Sequence, residues 1–128
     1  MISNFFRSRA RSFRHAFSGW GYALRTQPNT WIHFAFSLAV LSVCAWLRLP
    51  PRDFAIIILT IALVWTAELT NTAIEAAIDL ASPNHHPLAK AAKDAAAGAV
   101  LVAATSSILI GLLILGPPLW DKIETFLR

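Results

Sequence analysis

Residues 65–79 read WTAELTNTAIEAAID, and this stretch decides what kind of chain this is. It continues an apolar run from Phe54 to Val64 without a break. It then carries Glu68, Asn71, Glu75 and Asp79, spaced i, i+3, i+7 and i+11. On a helix these four fall within roughly 80° of one another, with Thr72 on the same face. Ile74, Ala77 and Ile78 point elsewhere. Charged side chains at membrane depth cost several kcal/mol each unless they are paired, hydrated or bound to a cation. A membrane helix often ends in one or two charges. Three carboxylates and an amide on one face point instead to a site for a metal and a polar substrate.

Composition supports the membrane reading. Of 128 residues, 56% are hydrophobic and only 14% are charged, where a soluble domain carries about a quarter charged. The length suits one domain. Net charge is +4, with Arg7, Arg9, Arg11, Arg14 and Arg25 crowded at the start. That pattern suits anionic headgroups or phosphates, and no basic platform with stacking aromatics suggests nucleic acid. Cys44 is alone in an apolar run and reads as a small buried hydrophobe. The N-terminus interleaves arginines and aromatics and is not a secretory signal.

Taken in order, residues ~5–25 read as an amphipathic surface helix. Phe6, Phe13, Phe17, Trp20 and Leu24 share one side, with Arg7, Arg11, Arg14 and Arg25 about a third of a turn away. Gly19 and Gly21 loosen its middle. Gln27 to Thr30 forms a turn, with Asn29 or Thr30 capping the next helix. The first spanning helix covers ~31–47; His33 near its start reads as a histidine satisfied at the interface. A reversal at Arg48 to Asp53 leads to a second spanning helix, ~54–80. At 1.5 Å per residue it is about 40 Å long, more than the hydrocarbon core, so its last turns reach the surface. The loop from Ser82 to Pro87 precedes a third spanning helix, ~88–115, with a run of small residues from Ala95 to Ala99 that favours close helix approach. Gly116-Pro-Pro118 stops this helix, and the tail to Arg128 reads as one more surface helix. The fold class is therefore all-α and membrane-integral. The N-terminal segment and the loop at 81–93 hold five Arg and two Lys on one side, against four basic residues on the other. The richer side is the cytoplasmic one.

Metal-assisted phosphoryl transfer needs carboxylate oxygens for Mg²⁺, a cation for the phosphates and a base for the attacking hydroxyl. The second helix and Lys93 supply these types. There is no P-loop and no protein-kinase motif set. His85 and His86 are adjacent rather than i, i+4, which disfavours zinc and suits a loop that contacts a nucleotide.

Glu68-Leu-Thr-Asn-Thr-Ala-Ile-Glu75-Ala-Ala-Ile-Asp79 followed by Ala92-Lys93-Asp94-Ala-Ala-Ala97-Gly98-Ala-Val resembles the signature of the prokaryotic diacylglycerol kinase family, which includes undecaprenol kinases. Ala23-Leu-Arg-Thr26 and His86-Pro-Leu-Ala-Lys90 also look like family segments, so the resemblance covers roughly residues 12–115. It implies a homotrimer in the cytoplasmic membrane of a bacterium, with active sites between protomers at the cytoplasmic interface. It implies phosphorylation of a lipid hydroxyl by MgATP, on diacylglycerol or undecaprenol. Glu68 would be the general base, Glu75 a metal ligand, and Asn71 a residue that orders the site. Lys93 and Asp94 would bind the nucleotide, with Asn84, His85 and His86 close by, and Ala97 would line the lipid side. The family usually has a second metal-binding Glu where this chain has Gln27, a neutral amide that offers a weaker oxygen ligand; either Gln27 suffices there or an acidic residue such as Asp79 helps. Arg25-Thr26-x-x-Asn29 and the His-Pro-Leu-Ala-Lys segment look more like the undecaprenol-kinase branch.

Two other classes compete with this one. A non-catalytic membrane assembly protein draws support from Gln27 alone. A small ion or metabolite carrier predicts polar residues along the depth of at least two helices, whereas here they cluster at one end.

Overall fold

The computed structural model describes the backbone from Ile2 to Arg128 and the side chains from Phe6 onward. The described residues form α1 (Ile2–Thr26), α2 (Pro28–Leu47), α3 (Pro51–Ala81) and α4 (Pro87–Leu127). The last three are long and apolar enough to cross a membrane. Each of these three opens with proline in its first turn. Proline's fixed φ suits that position, and its missing N–H would have had no helical partner there. The connections are short for the same reason. Gln27 alone separates α1 from α2, and Arg48 closes α2 in the left-handed region at φ 53°.

Several expectations need correction. The turn expected at 27–30 shrinks to Gln27, because Pro28 starts the helix instead of ending a turn. Neither Asn29 nor Thr30 caps α2; Thr30 is fully buried and faces α3. The helix α1 runs through Gly19 and Gly21 without a break. Most notably, Gly116-Pro117-Pro118 does not stop α4, which continues to Leu127. The two prolines deprive the carbonyls of Leu113 and Ile114 of their helical donors. Gly116 has no Cβ to meet the ring that follows it. The far segment is also held by tertiary contact, with Lys122 Nζ lying 5.1 Å from the centre of the Trp46 ring of α2. At 41 residues, α4 is about 60 Å long, twice the hydrocarbon thickness.

The main packing seam is α3 against α4. Ala96 and Ala103, seven residues apart on α4, are buried in it, and their small size lets the backbones approach. Ser107 Oγ donates to the carbonyl of Thr60 at 3.2 Å across the same seam. Elsewhere α4 leaves large apolar side chains exposed, as lipid-facing helices do, Leu113 and Leu101 among them.

Trp65 ties three helices together. It is buried, its ring stacks on Trp20 of α1 at 4.5 Å between centroids, and its Nε1 donates to Ser37 Oγ of α2 at 3.1 Å. Trp65→Phe keeps the stack and loses the hydrogen bond. We expect it to cost about 1 kcal/mol, the size of an interhelical bond in a membrane protein, read as a lowered melting temperature in detergent.

Candidate active site

The last turns of α3 carry the polar face, and the ends of α1 and α2 close over it. Glu68 is only 2% exposed. Its Oε1 lies 3.4 Å from Thr30 Oγ1, which is also 3.4 Å from the carbonyl of Ala23. A hydroxyl has one proton, so Thr30 serves one of these acceptors at a time. The other carboxylate oxygen, Oε2, is 3.9 Å from His33 Nε2. Neither contact is short enough to consume the Glu68 lone pairs, which leaves the carboxylate able to take a proton.

Two turns further on, Glu75 collects two amides. Oε1 accepts from Asn71 Nδ2 at 3.0 Å, and Oε2 accepts from Gln27 Nε2 at 2.5 Å. Gln27, at the junction of α1 and α2, therefore reaches across to α3. Asn71 Oδ1 is buried without a hydrogen-bond partner among the described residues. A buried acceptor left alone is costly, and a cation would satisfy it. Among the described residues no three His, Cys, Asp or Glu side chains cluster to hold a metal. One carboxylate and two amide oxygens make no complete cage. They fit Mg²⁺, which keeps several waters and is held by one or two carboxylates together with phosphate oxygens.

A second group lies one turn beyond Glu75, where α3 ends and α4 begins. Lys93 Nζ donates to Asp79 Oδ1 at 2.5 Å, and Lys90 pairs with Asp94. Asp79 and Asp94 are exposed, and Lys93 is partly so. Asn84 and His85 are exposed in the connecting loop. His86 has a structural task there: its Nδ1 accepts from the Leu88 N–H at 3.2 Å and caps α4. Ala97 is exposed, on a different side of α4 from the buried Ala96. Thus Gln27, Asn71 and Glu75 form one hydrogen-bonded group, Glu68 with Thr30 and His33 forms another two turns away on the same helix, and the pairs Lys93–Asp79 and Lys90–Asp94 lie toward the junction of α3 and α4.

Residues 14–115 match the family profile described as prokaryotic diacylglycerol kinase, which covers most of the chain. The chain belongs to the prokaryotic diacylglycerol kinase family. Among its relatives, the undecaprenol kinase of Bacillus subtilis is 50% identical over 110 residues, covering 85% of this chain and 89% of that protein. The diacylglycerol kinase of Synechocystis sp. is 45% identical over 109 residues, covering 84% of this chain but 62% of that longer protein. The diacylglycerol kinase of Escherichia coli is 31% identical over 97 residues, covering 70% and 79%.

Within this family member, sequence alone does not bring Thr30 and His33 to the site. It suggests a cap for one and the membrane interface for the other, yet both face Glu68. No signal along α2 points to them, because their partner is 38 and 35 residues away. Trp65 does carry a signal: three residues before Glu68, it sits at the edge of the carboxylate face. The segment after residue 115, where α4 runs on to Leu127, lies outside the family match.

Proposed function

We propose that this chain is an ATP- and Mg²⁺-dependent lipid kinase that transfers the γ-phosphoryl group of ATP to the hydroxyl of a membrane lipid. The acceptor is undecaprenol, giving undecaprenyl phosphate, or diacylglycerol, giving phosphatidic acid. The names of the relatives support the reaction class. The observation that carries the reading is the pairing of a buried, loosely held carboxylate, Glu68, with an amide-and-carboxylate cluster two turns away.

In this reading Glu68 accepts the proton of the lipid hydroxyl, and the freed oxygen attacks the γ-phosphorus as the bond to the β-phosphate oxygen breaks. Glu75, Asn71 and Gln27 would hold Mg²⁺, which when bound neutralises phosphate charge. Rotation of the Gln27 and Asn71 amides would turn their oxygens inward for this. Lys93 exchanges Asp79 for a phosphate oxygen, and Asp94, Asn84, His85 and His86 border the nucleotide. A cavity of about 570 Å³ between α2, α3 and α4, lined by Phe36, Val40, Ile61 and Leu112 among others, runs from His33 into the apolar region. It suits a lipid chain whose head lies near Glu68. Ala97 borders the lipid on the outside.

The same proposal places the chain in the cytoplasmic membrane of a bacterium, with α1 on the cytoplasmic surface. It also makes the chain a homotrimer. α4 buries only Ala96 and Ala103 within the chain, among the described residues, and a second copy could cover much of the rest. A trimer in native mass spectrometry is the expected result.

The direct test is transfer from labelled ATP to diacylglycerol and to undecaprenol, side by side, in mixed micelles with Mg²⁺. Product on one lipid identifies the acceptor. Product on neither, from folded protein, refutes the kinase reading in favour of the assembly role. Gln27→Glu offers a second check. Replacing an amide by a carboxylate strengthens a hard-cation site. The Mg²⁺ concentration for half-maximal rate should fall severalfold; an unchanged value removes Gln27 from the site.

A further inference from the structure

Glu68 is buried, and among the described residues its one chargeable neighbour within 4 Å is His33, whose side chain is 19% exposed. The imidazole also lines the apolar cavity between α2, α3 and α4. It therefore stands between the cavity and the carboxylate. We propose that His33 is a positioning residue for Glu68: it orients the carboxylate toward a hydroxyl arriving from the cavity, and its protonation withdraws Glu68 from the reaction. The proposal rests on the kinase reading above.

The surroundings leave this task to His33. On α2 the other titratable side chain is Cys44, three turns away. On α3 the next carboxylate is Glu75, whose oxygens are taken by Asn71 and Gln27. On α1 the approach to Glu68 is through Ala23, and Arg25 is exposed. The titratable groups of α4 sit at its two ends, and its buried face carries Ala96 and Ala103. Thr30 Oγ1 lies beside Oε1 at 3.4 Å and His33 Nε2 beside Oε2 at 3.9 Å, so one residue of α2 flanks each carboxylate oxygen. Neutral His33 can present Nε2–H to the carboxylate without neutralising it. Protonated His33 forms an ion pair in surroundings poor in water, where such attraction is strong. The paired carboxylate is then a poorer acceptor for the lipid proton.

The test uses the full chain in mixed micelles with MgATP and both lipids, from about pH 5.5 to about pH 8.5, the range in which imidazoles titrate. His33→Leu should lower kcat roughly 10- to 100-fold, the scale of a misplaced reacting group, with KM for MgATP within about twofold. His33→Gln keeps an N–H donor but cannot gain a charge. It should recover kcat to within about fivefold of wild type at the alkaline end, and its rate should fall less on acidification than that of wild type. Wild-type kcat in His33→Leu overturns the proposal. So does an acid limb identical in His33→Gln and wild type, or a parallel loss of kcat and MgATP binding in both variants, which marks a structural role. Wild-type protein that phosphorylates neither lipid overturns the kinase reading and the proposal together, whereas an active enzyme indifferent to His33 overturns the proposal alone.

Discussion

Glu68→Gln is expected to lower kcat by about 10²- to 10⁴-fold, the contribution of a positioned general base. Glutamine has the same shape and keeps an oxygen for the Thr30 hydroxyl, so packing among α1, α2 and α3 is preserved. What it loses is the ability to take the hydroxyl proton. Asp79 lies at the far end of α3, about three turns from Glu68, and Lys93 of α4 pairs with it there. At a rise of about 1.5 Å per residue, the eleven positions from Glu68 to Asp79 separate the two groups by about 16 Å along the helix. MgATP affinity should therefore stay within about twofold of wild type. Stability should move the other way. A carboxylate that is 2% exposed, with no short hydrogen bond, carries a desolvation penalty that an amide does not. The variant should melt at the same temperature as wild type or higher. A native rate in Glu68→Gln would remove this residue from the chemistry, and the reading of the site would have to start from Glu75 instead.

Glu75→Ala should produce the second large effect, a loss of roughly 100-fold or more in rate at ordinary Mg²⁺, since a metal supplies several kcal/mol of charge stabilisation. The residue holds both amides, Asn71 and Gln27, and Asn71 Oδ1 is already buried without a partner among the described residues. Removing the carboxylate leaves two amides that bind a divalent cation weakly. High Mg²⁺ should restore part of the rate. Binding of Mn²⁺ as a spectroscopic probe, with a non-hydrolysable ATP analogue present, should weaken in parallel. Glu75→Gln separates the roles: it keeps hydrogen bonds to the neighbouring amides and loses the charge. If Mg²⁺ dependence is unchanged in both variants, the cluster is structural. Glu75 would then serve to hold the end of α1 on α3 through Gln27.

Both variants fall on a face that is legible along the chain. Glu68, Asn71, Glu75 and Asp79 share it because a helix repeats every 3.6 residues, and that holds before any packing occurs. The position of the site follows from the length of α3, whose 31 residues exceed what an apolar core can cover. Resemblance rather than pattern singles out Gln27, and the structure sets it against Glu75 at 2.5 Å. At Gly116-Pro117-Pro118 local reading fails. Propensity there favours a stop, but the packing of Lys122 on Trp46 involves another helix and is invisible to propensity.

Local sequence was enough for the three apolar helices, their order and the polar face of α3, though not for the end of α4, because each of these depends on neighbours within one or two turns. Packing between helices brings Thr30 and His33 of α2 to Glu68, joins Trp65 to Trp20 and Ser37, and sets Lys93 on Asp79. Helical periodicity relates residues on one cylinder and carries no information about how that cylinder is rotated against the next. That rotation comes from side-chain packing between helices, here the small residues Ala96 and Ala103 and the buried ring of Trp65.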